Sequence, residues 1–262
     1  MCFPPGAQPP DVPSDLQIIS GGAGGESVVL KSTDGASFRT FVAKAQQGDA
    51  GVVIAPDVRG LHSFYEDLTE RFASAGVHAI AIDYFGRTAG TDKRPDDFAF
   101  QEHVTAARQR PDLIQADIAA AVAELRKRAA PKRAFVLGFC MGGRVAFNAS
   151  AGQDGLAGVV GFYGVTRRRD ADDNDAPIDK VARMRAPILG LFGGADGGIP
   201  AEDNARFDKA LDDQQLSHHL VTYPGAPHSF FDRTFAEYEK ECADAWRRVL
   251  GFMASGDPKA VK

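Results

Sequence analysis

The sequence predicts an α/β protein built on a mostly parallel sheet, with helices on both faces and an antiparallel strand pair at the N-terminal end. Short apolar runs recur at residues 52–55, 77–82, 134–137, 158–162, 188–192 and 219–223. Runs of this length and character suit strands buried on both faces. Segments with apolar residues at helical spacing separate them, and such alternation builds parallel sheets. Residues 27–30 and 37–43, turning at Asp34–Gly35, predict the antiparallel pair.

Taken in order, residues 1–25 are rich in proline and glycine and predict a segment that wraps the surface or is mobile, including the loop-like run 21–25. Ser63 and Glu66 have the spacing of a capping box, Leu68 and Phe72 share the face that follows, and Gly76 stops the helix. Pro111 opens a second helix whose apolar face carries Ile114, Ile118, Ala121, Val122 and Leu125. Its negative end carries Arg126, Lys127 and Arg128. Phe235, Tyr238, Cys242, Trp246, Val249 and Met253 repeat at helical spacing near the end. Two long connections, 84–110 and 164–186, leave from carboxyl ends of strands, where binding loops and lids are expected. One domain over 26–254 is expected, between an N-terminal segment (1–25) and a C-terminal tail (255–262).

Composition narrows the function. The 262 residues carry a formal net charge of -5, and acidic and basic residues are interspersed. Nothing in this predicts a phosphate-binding surface, so nucleic acid is not an expected partner. Arg167–Arg168–Arg169, followed by Asp170, Asp172, Asp173 and Asp175, reads as a solvated loop. No apolar run is long enough to span a bilayer, and the first ten residues have no signal-peptide pattern. Three widely spaced cysteines do not make a disulfide framework, so a reducing cytoplasm is expected. No metal-ligand or nucleotide-binding spacing is found, and neither a metal nor a cofactor is expected.

The sharpest local signal is residues 134–144, where an apolar strand runs into Gly138-Phe-Cys140-Met-Gly142 and then a helix carrying Val145, Ala146 and Ala149. This is a nucleophile elbow with cysteine in place of the commoner serine. The nucleophile of an elbow sits on a strained bend, and the flanking glycines remove side chains that would strike the neighbouring backbone. The helix N-terminus favours a thiolate, and the Met141 amide is aimed where an oxyanion forms. The competing reading is a tight glycine turn around an inert buried cysteine. Cys242 lies on an apolar helical face and Cys2 in a terminal segment, so neither competes as nucleophile.

An acid and then a base should follow, each past a strand. Residues 187–196 supply a strand, Gly193–Gly194 and Asp196; residues 219–228 supply a strand, a turn-rich loop and His228. His228 would hold Cys140 as thiolate and serve as acid and base, with Asp196 orienting the imidazole. Each taken alone also reads as a loop cap and a surface histidine. His218 and His219 are adjacent on a strand and point to opposite sides, while His62, His78 and His103 are isolated.

With Gly138-Phe-Cys-Met-Gly-Gly143, Gly161-Phe-Tyr-Gly164, Gly193-Gly-Ala-Asp196 and His228-Ser-Phe230 in hand, the chain resembles the dienelactone hydrolase (carboxymethylenebutenolidase) family from about residue 28 to 252. The resemblance implies an α/β-hydrolase fold and a Cys140–His228–Asp196 triad. It implies a second oxyanion amide at Val58, and an acid at Asp57 that partners the resting thiol where the family has a glutamate. A plain strand-end cap is the alternative for Asp57. The family's two substrate-carboxylate arginines would match Arg87 and a position occupied here by Asp232, with Arg233 one residue later. An acid at Asp232 would repel an anionic substrate. Tyr163 would line the pocket or pack in the core. The implied partner is a small activated ester or lactone, attacked by a monomer or homodimer without a cofactor. Thioesters, or a non-catalytic ligand on the same fold, are the alternatives.

Overall fold

A computed structural model describes residues 8–18, 24–95 and 97–262. Cys2 and most of the glycine run 21–25 lie outside the described residues. The strands are β1 (Gly25–Lys31), β2 (Ser37–Ala43), β3 (Ala50–Ala55), β4 (Val77–Ile82), β5 (Arg133–Phe139), β6 (Gly158–Phe162), β7 (Ile188–Gly193) and β8 (His218–Tyr223). They form one sheet in the order β1-β2-β4-β3-β5-β6-β7-β8. β1 and β2 are antiparallel, β2 is antiparallel to β4, and all later pairings are parallel. The chain reverses its direction of travel across the sheet at β3, which lies between β4 and β5. A crevice forms beyond the carboxyl ends of strands at such a switch.

The helices are α1 (Ser63–Ser74), α2 (Gly86–Ala89), α3 (Gln101–Gln109), α4 (Pro111–Ala129), α5 (Met141–Gly152), α6 (Ala201–Asp213) and α7 (Glu239–Ser255). Two glycines of β6 establish that both faces of the sheet are covered. A side chain at Gly158 would strike Phe252 of α7, and one at Gly161 would strike Phe147 of α5. Positions three apart on a strand point to opposite sides, so α5 and α7 cover opposite faces. Phe72 of α1 meets Trp246 of α7 with ring centroids 4.8 Å apart. Val52, Val53 and Ile54 of β3 are wholly buried, as a central strand covered on both faces requires.

Three local expectations are corrected. The connection 84–110 is not a bare loop, because it contains α2 and α3; α3 buries only Val104 and so has almost no apolar period to read. α6 was not expected either, and only Phe207 and Leu211 give it an apolar face. The capping box at Ser63 does not form. His62 is the N-cap, Ser63 is already helical, and Glu66 turns to Arg39 and Lys93.

The run 167–175 is also more than a solvated loop. Arg144 of α5 grips Asp173 through two hydrogen bonds of 2.6 and 2.8 Å, with both side chains buried. Arg167 bonds Asp203 and Arg168 bonds Asp179. The connection 164–186 is thereby fastened to the helix that follows the elbow. In the N-terminal segment, Val12 and Leu16 are buried, and the Trp246 indole donates to the Pro10 carbonyl at 3.2 Å.

Candidate active site

Cys140 joins β5 to α5 with φ 54° and ψ -110°. A left-handed non-glycine residue is strained, and such strain persists only where the surroundings over-determine it. Here they do. A Cβ on Gly138 would lie 1.9 Å from the Gly142 carbonyl oxygen, and one on Gly142 would lie 2.0 Å from that of Ala55. The Cys140 amide donates to the Phe162 carbonyl at 3.0 Å, and the Cys140 carbonyl accepts from Arg144 at 3.2 Å to start α5. Met141 is the first residue of α5, so its amide belongs to the helix's unsatisfied N-terminal donors.

Asp196 follows β7 and His228 follows β8. They meet because Gly193 lets the two loops approach: a Cβ there would lie 2.4 Å from the Ala226 carbonyl and 2.5 Å from that of Pro227. Ala195 donates to the Ala226 carbonyl at 2.9 Å, locking the contact. Asp196 Oδ2 is 2.6 Å from His228 Nδ1, and Asp196 Oδ1 accepts from the Gly198 amide at 2.9 Å. The Asp196 side chain is buried, while a third of His228 is exposed.

Burial alone would lower the His228 pKa, but hydrogen bonds to Asp196 and to the Cys140 side chain, and the charges of both, raise it to about 10. The imidazole is thus held between an acid on one side and the elbow cysteine on the other.

Asp57 and Val58 follow β3, the strand beside β5. Asp57 is fully buried; its amide donates to the Tyr65 hydroxyl at 2.9 Å, and its Oδ1 accepts from the Arg59 amide at 2.8 Å. Val58 is half-buried on the same turn. Tyr84, the second residue past β4, donates its hydroxyl to the Pro56 carbonyl at 2.7 Å. Burial, and then the charges of Asp57 and Cys140, hold the Tyr84 phenol well above its ordinary pKa. Tyr84 and Tyr65 therefore belong to this site. The sequence reading missed both, although their places just past one strand and on the next helix lie within the crevice that the fold predicts.

Tyr163, past β6, is fully buried and has φ 38°. Its ring centroid lies 4.9 Å from that of His228, and its hydroxyl donates to Asp232 Oδ2 at 2.6 Å. It is thus a core residue that touches the imidazole. Asp232 is itself buried and also bonds the Ser229 side chain and the Arg233 amide. Burial lifts its carboxyl well above the carboxylate range. Asp232 thus faces the interior, with its carboxyl engaged by Tyr163, Ser229 and the Arg233 amide.

Arg87 is held elsewhere. Its guanidinium bonds both oxygens of Asp117 on α4 (2.6 and 2.8 Å) and both oxygens of Asp34 in the β1–β2 turn (2.9 and 3.0 Å). Both edges of the fork are therefore occupied by carboxylates of this chain. Arg233 is exposed, and its backbone amide faces Asp232. The structure thus brings Cys140, His228, Asp196, Asp57 and Tyr163 into one region, and it engages Arg87 in a clamp between the first hairpin and α4.

Far along the sequence from the elbow, Asp208 and Asp212 of α6 and His218 of β8 bring potential ligand atoms within 4.8 Å of one another. The sequence reading found no such grouping, because the helix and the strand come together only in the fold. Among the described residues no helix is long and apolar enough to cross a membrane.

The model of the dienelactone hydrolase family matches residues 38–256, most of the chain. The chain belongs to the dienelactone hydrolase family. It is a hydrolase of the carboxymethylenebutenolidase-like kind, acting on small molecules. A relative from Saccharolobus solfataricus named "Putative carboxymethylenebutenolidase" is 27% identical, with 87% of this chain and 98% of that protein covered. A Bradyrhizobium relative named "Probable 2-oxo-3-(5-oxofuran-2-ylidene)propanoate lactonase" is 31% identical over 77% of this chain and 82% of its own length. The solved structure of a Klebsiella pneumoniae protein titled "Putative Dienelactone Hydrolase" superposes with a TM-score of 0.74 at 23% identity, covering 88% of this chain and 99% of that one. That likeness establishes the α/β-hydrolase fold.

Proposed function

We propose that this family member hydrolyses a small activated ester or enol-lactone through a Cys140–His228–Asp196 triad and an acyl-enzyme intermediate. One relay of contacts supports the reading. Asp196 holds one nitrogen of His228, the imidazole is hydrogen-bonded to Cys140, and Cys140 sits on a left-handed bend at the start of a helix. The lactonase name of the Bradyrhizobium relative favours a lactone among the activated esters.

The imidazolium of His228 pairs with the Cys140 thiolate at rest. The sulfur attacks the acyl carbon, and the carbonyl electron pair moves onto oxygen, where the amides of Met141 and Val58 receive it. Collapse expels the leaving oxygen, which takes the His228 proton. Neutral His228 then removes a proton from water, and the resulting hydroxide cleaves the thioester, returning thiolate and imidazolium. Thiolate leaves more readily than an alkoxide or amide, so plain alkyl esters and peptides tend to revert. Enolate, aryloxide and thiolate leaving groups go forward, and on this site a thioester is the alternative substrate. Asp57 is read as the strand-end cap that accepts the Arg59 amide, and Tyr163 as packing against the imidazole. A cytoplasmic setting keeps the thiol reduced.

A panel of enol-lactone, aryl ester, thioester and peptide substrates tests the assignment, with mass detection of an acyl adduct on Cys140. Turnover of the first two classes with a trapped adduct is expected. Undiminished aryl-ester hydrolysis by Cys140→Ala would overturn it.

A further inference from the structure

Two non-glycine residues in the left-handed region flank the imidazole of His228. Ser229, the next residue along the chain, has φ 63°, and Tyr163, whose ring packs tilted against the imidazole, has φ 38°. They stand on different loops, one past β8 and one past β6. A single buried carboxyl engages both. Asp232 accepts the Tyr163 hydroxyl at 2.6 Å and bonds the Ser229 side chain. The Asp232 backbone amide donates to the Ser229 carbonyl at 3.2 Å, and Thr234 donates to the same carbonyl at 3.4 Å, so the turn after His228 closes on itself.

We propose that Asp232 is a positioning residue: by holding Tyr163 and Ser229 together it joins the β6 and β8 loops and fixes the His228 ring against Cys140. This rests on the triad reading above. Every proton transfer of the proposed chemistry runs through His228, and two strained loop residues do not hold their place unaided. A hydroxyl–carboxyl bond in a dry interior is strong and directional. Asp196 orients the ring through Nδ1 from the β7 side, and the Asp232–Tyr163 pair sets the face of the ring from the β6 side. The imidazole is thereby fixed about both its axis and its tilt. The carboxyl of Asp232 is turned to protein groups, so its removal acts on the rate of the bound complex more than on substrate affinity.

The test compares Tyr163→Phe, Asp232→Ala and Asp232→Asn on a neutral aryl ester, with thermal melting to establish folding and the NMR titration of His228 in substrate-free enzyme. Tyr163→Phe keeps the ring and removes only the hydroxyl. It and Asp232→Ala should each lower kcat about ten- to a hundredfold with KM within about twofold, the scale expected for a slightly misplaced catalytic group. The His228 midpoint should fall from about 10 toward the ordinary imidazole value in both. Asp232→Asn keeps an oxygen for Tyr163 and should recover most of kcat. The double variant Tyr163→Phe with Asp232→Ala should lose little more than the worse single variant. Folded Tyr163→Phe with unchanged kcat and an unchanged His228 titration overturns the proposal, as does a change confined to KM. Should Cys140→Ala stay active, the triad reading fails, but the substrate-free titration of His228 still decides whether Asp232 positions it.

Discussion

Asp196 and His228 are 32 residues apart in sequence and 2.6 Å apart in space, and a glycine that is neither of them sets that distance. Gly193 lets the loops after β7 and β8 pack backbone to backbone, with no room for a Cβ. The proposed triad depends on this close approach as much as on its own side chains.

Replacing Asp196 with Asn removes the charge and leaves a donor where the ring needs an acceptor. We expect kcat on an aryl ester to fall by up to about 10⁴-fold, the loss seen when a triad acid is neutralised. The His228 titration should drop as well, because Asp196 is one of the groups that hold it up. Stopped-flow kinetics with NMR titration checks both, and a loss under threefold would remove Asp196 from the relay.

The pH dependence of stability has a definite sign. The folded pKa of His228, about 10, lies above the ordinary histidine value of 6.5. The proton is therefore bound more tightly in the native state, and the stabilisation is full below about pH 6.5 and lost as pH rises through about 10. Denaturant unfolding of the native chain and of His228→Gln isolates this. The stability advantage of the native chain should shrink steadily between pH 6.5 and 10, and a constant difference would contradict it.

Arg87→Ala should damage folding rather than catalysis. It strands Asp117, whose side chain is 1% exposed, beside one surface partner fewer. Breaking a largely buried pair from one side costs about 3 kcal/mol. Turnover of a neutral aryl ester by the folded fraction should stay within about twofold, since both edges of the guanidinium already face protein carboxylates. Urea melts and active-site-titrated kinetics separate the two effects, and a large rise in KM with unchanged stability would return Arg87 to the substrate.

Gly138→Ala should be among the most damaging single-methyl additions in the chain. Its Cβ would meet the Gly142 carbonyl 1.9 Å away, and no flexible side chain can yield. Overpacking against backbone costs about 1–3 kcal/mol or more, and any relief must move the elbow. Both the melting temperature and kcat are expected to fall; wild-type values for either would mean that the bend is looser than its geometry.

Much was legible without the fold because the signals are local. Apolar runs of strand length mark β3 to β8, and Gly138-Phe-Cys140-Met-Gly142 marks the bend, since hydrophobic period and glycine spacing act over a few residues. Asp196 and His228 followed from their order past successive strands. α3 and α6 escaped notice because only Val104 in one, and Phe207 and Leu211 in the other, face the core as apolar residues.

What the tertiary structure alone decided is which charged and polar groups meet. Glu66 left its capping position for Arg39 and Lys93, Arg87 closed on Asp34 and Asp117, Arg144 took Asp173, and Asp232 took Tyr163. Each partnership joins residues at least 27 positions apart in the sequence. A side chain's type states what it can bind, whereas burial and the approach of remote elements determine what it does bind, and no local period of the sequence carries that information.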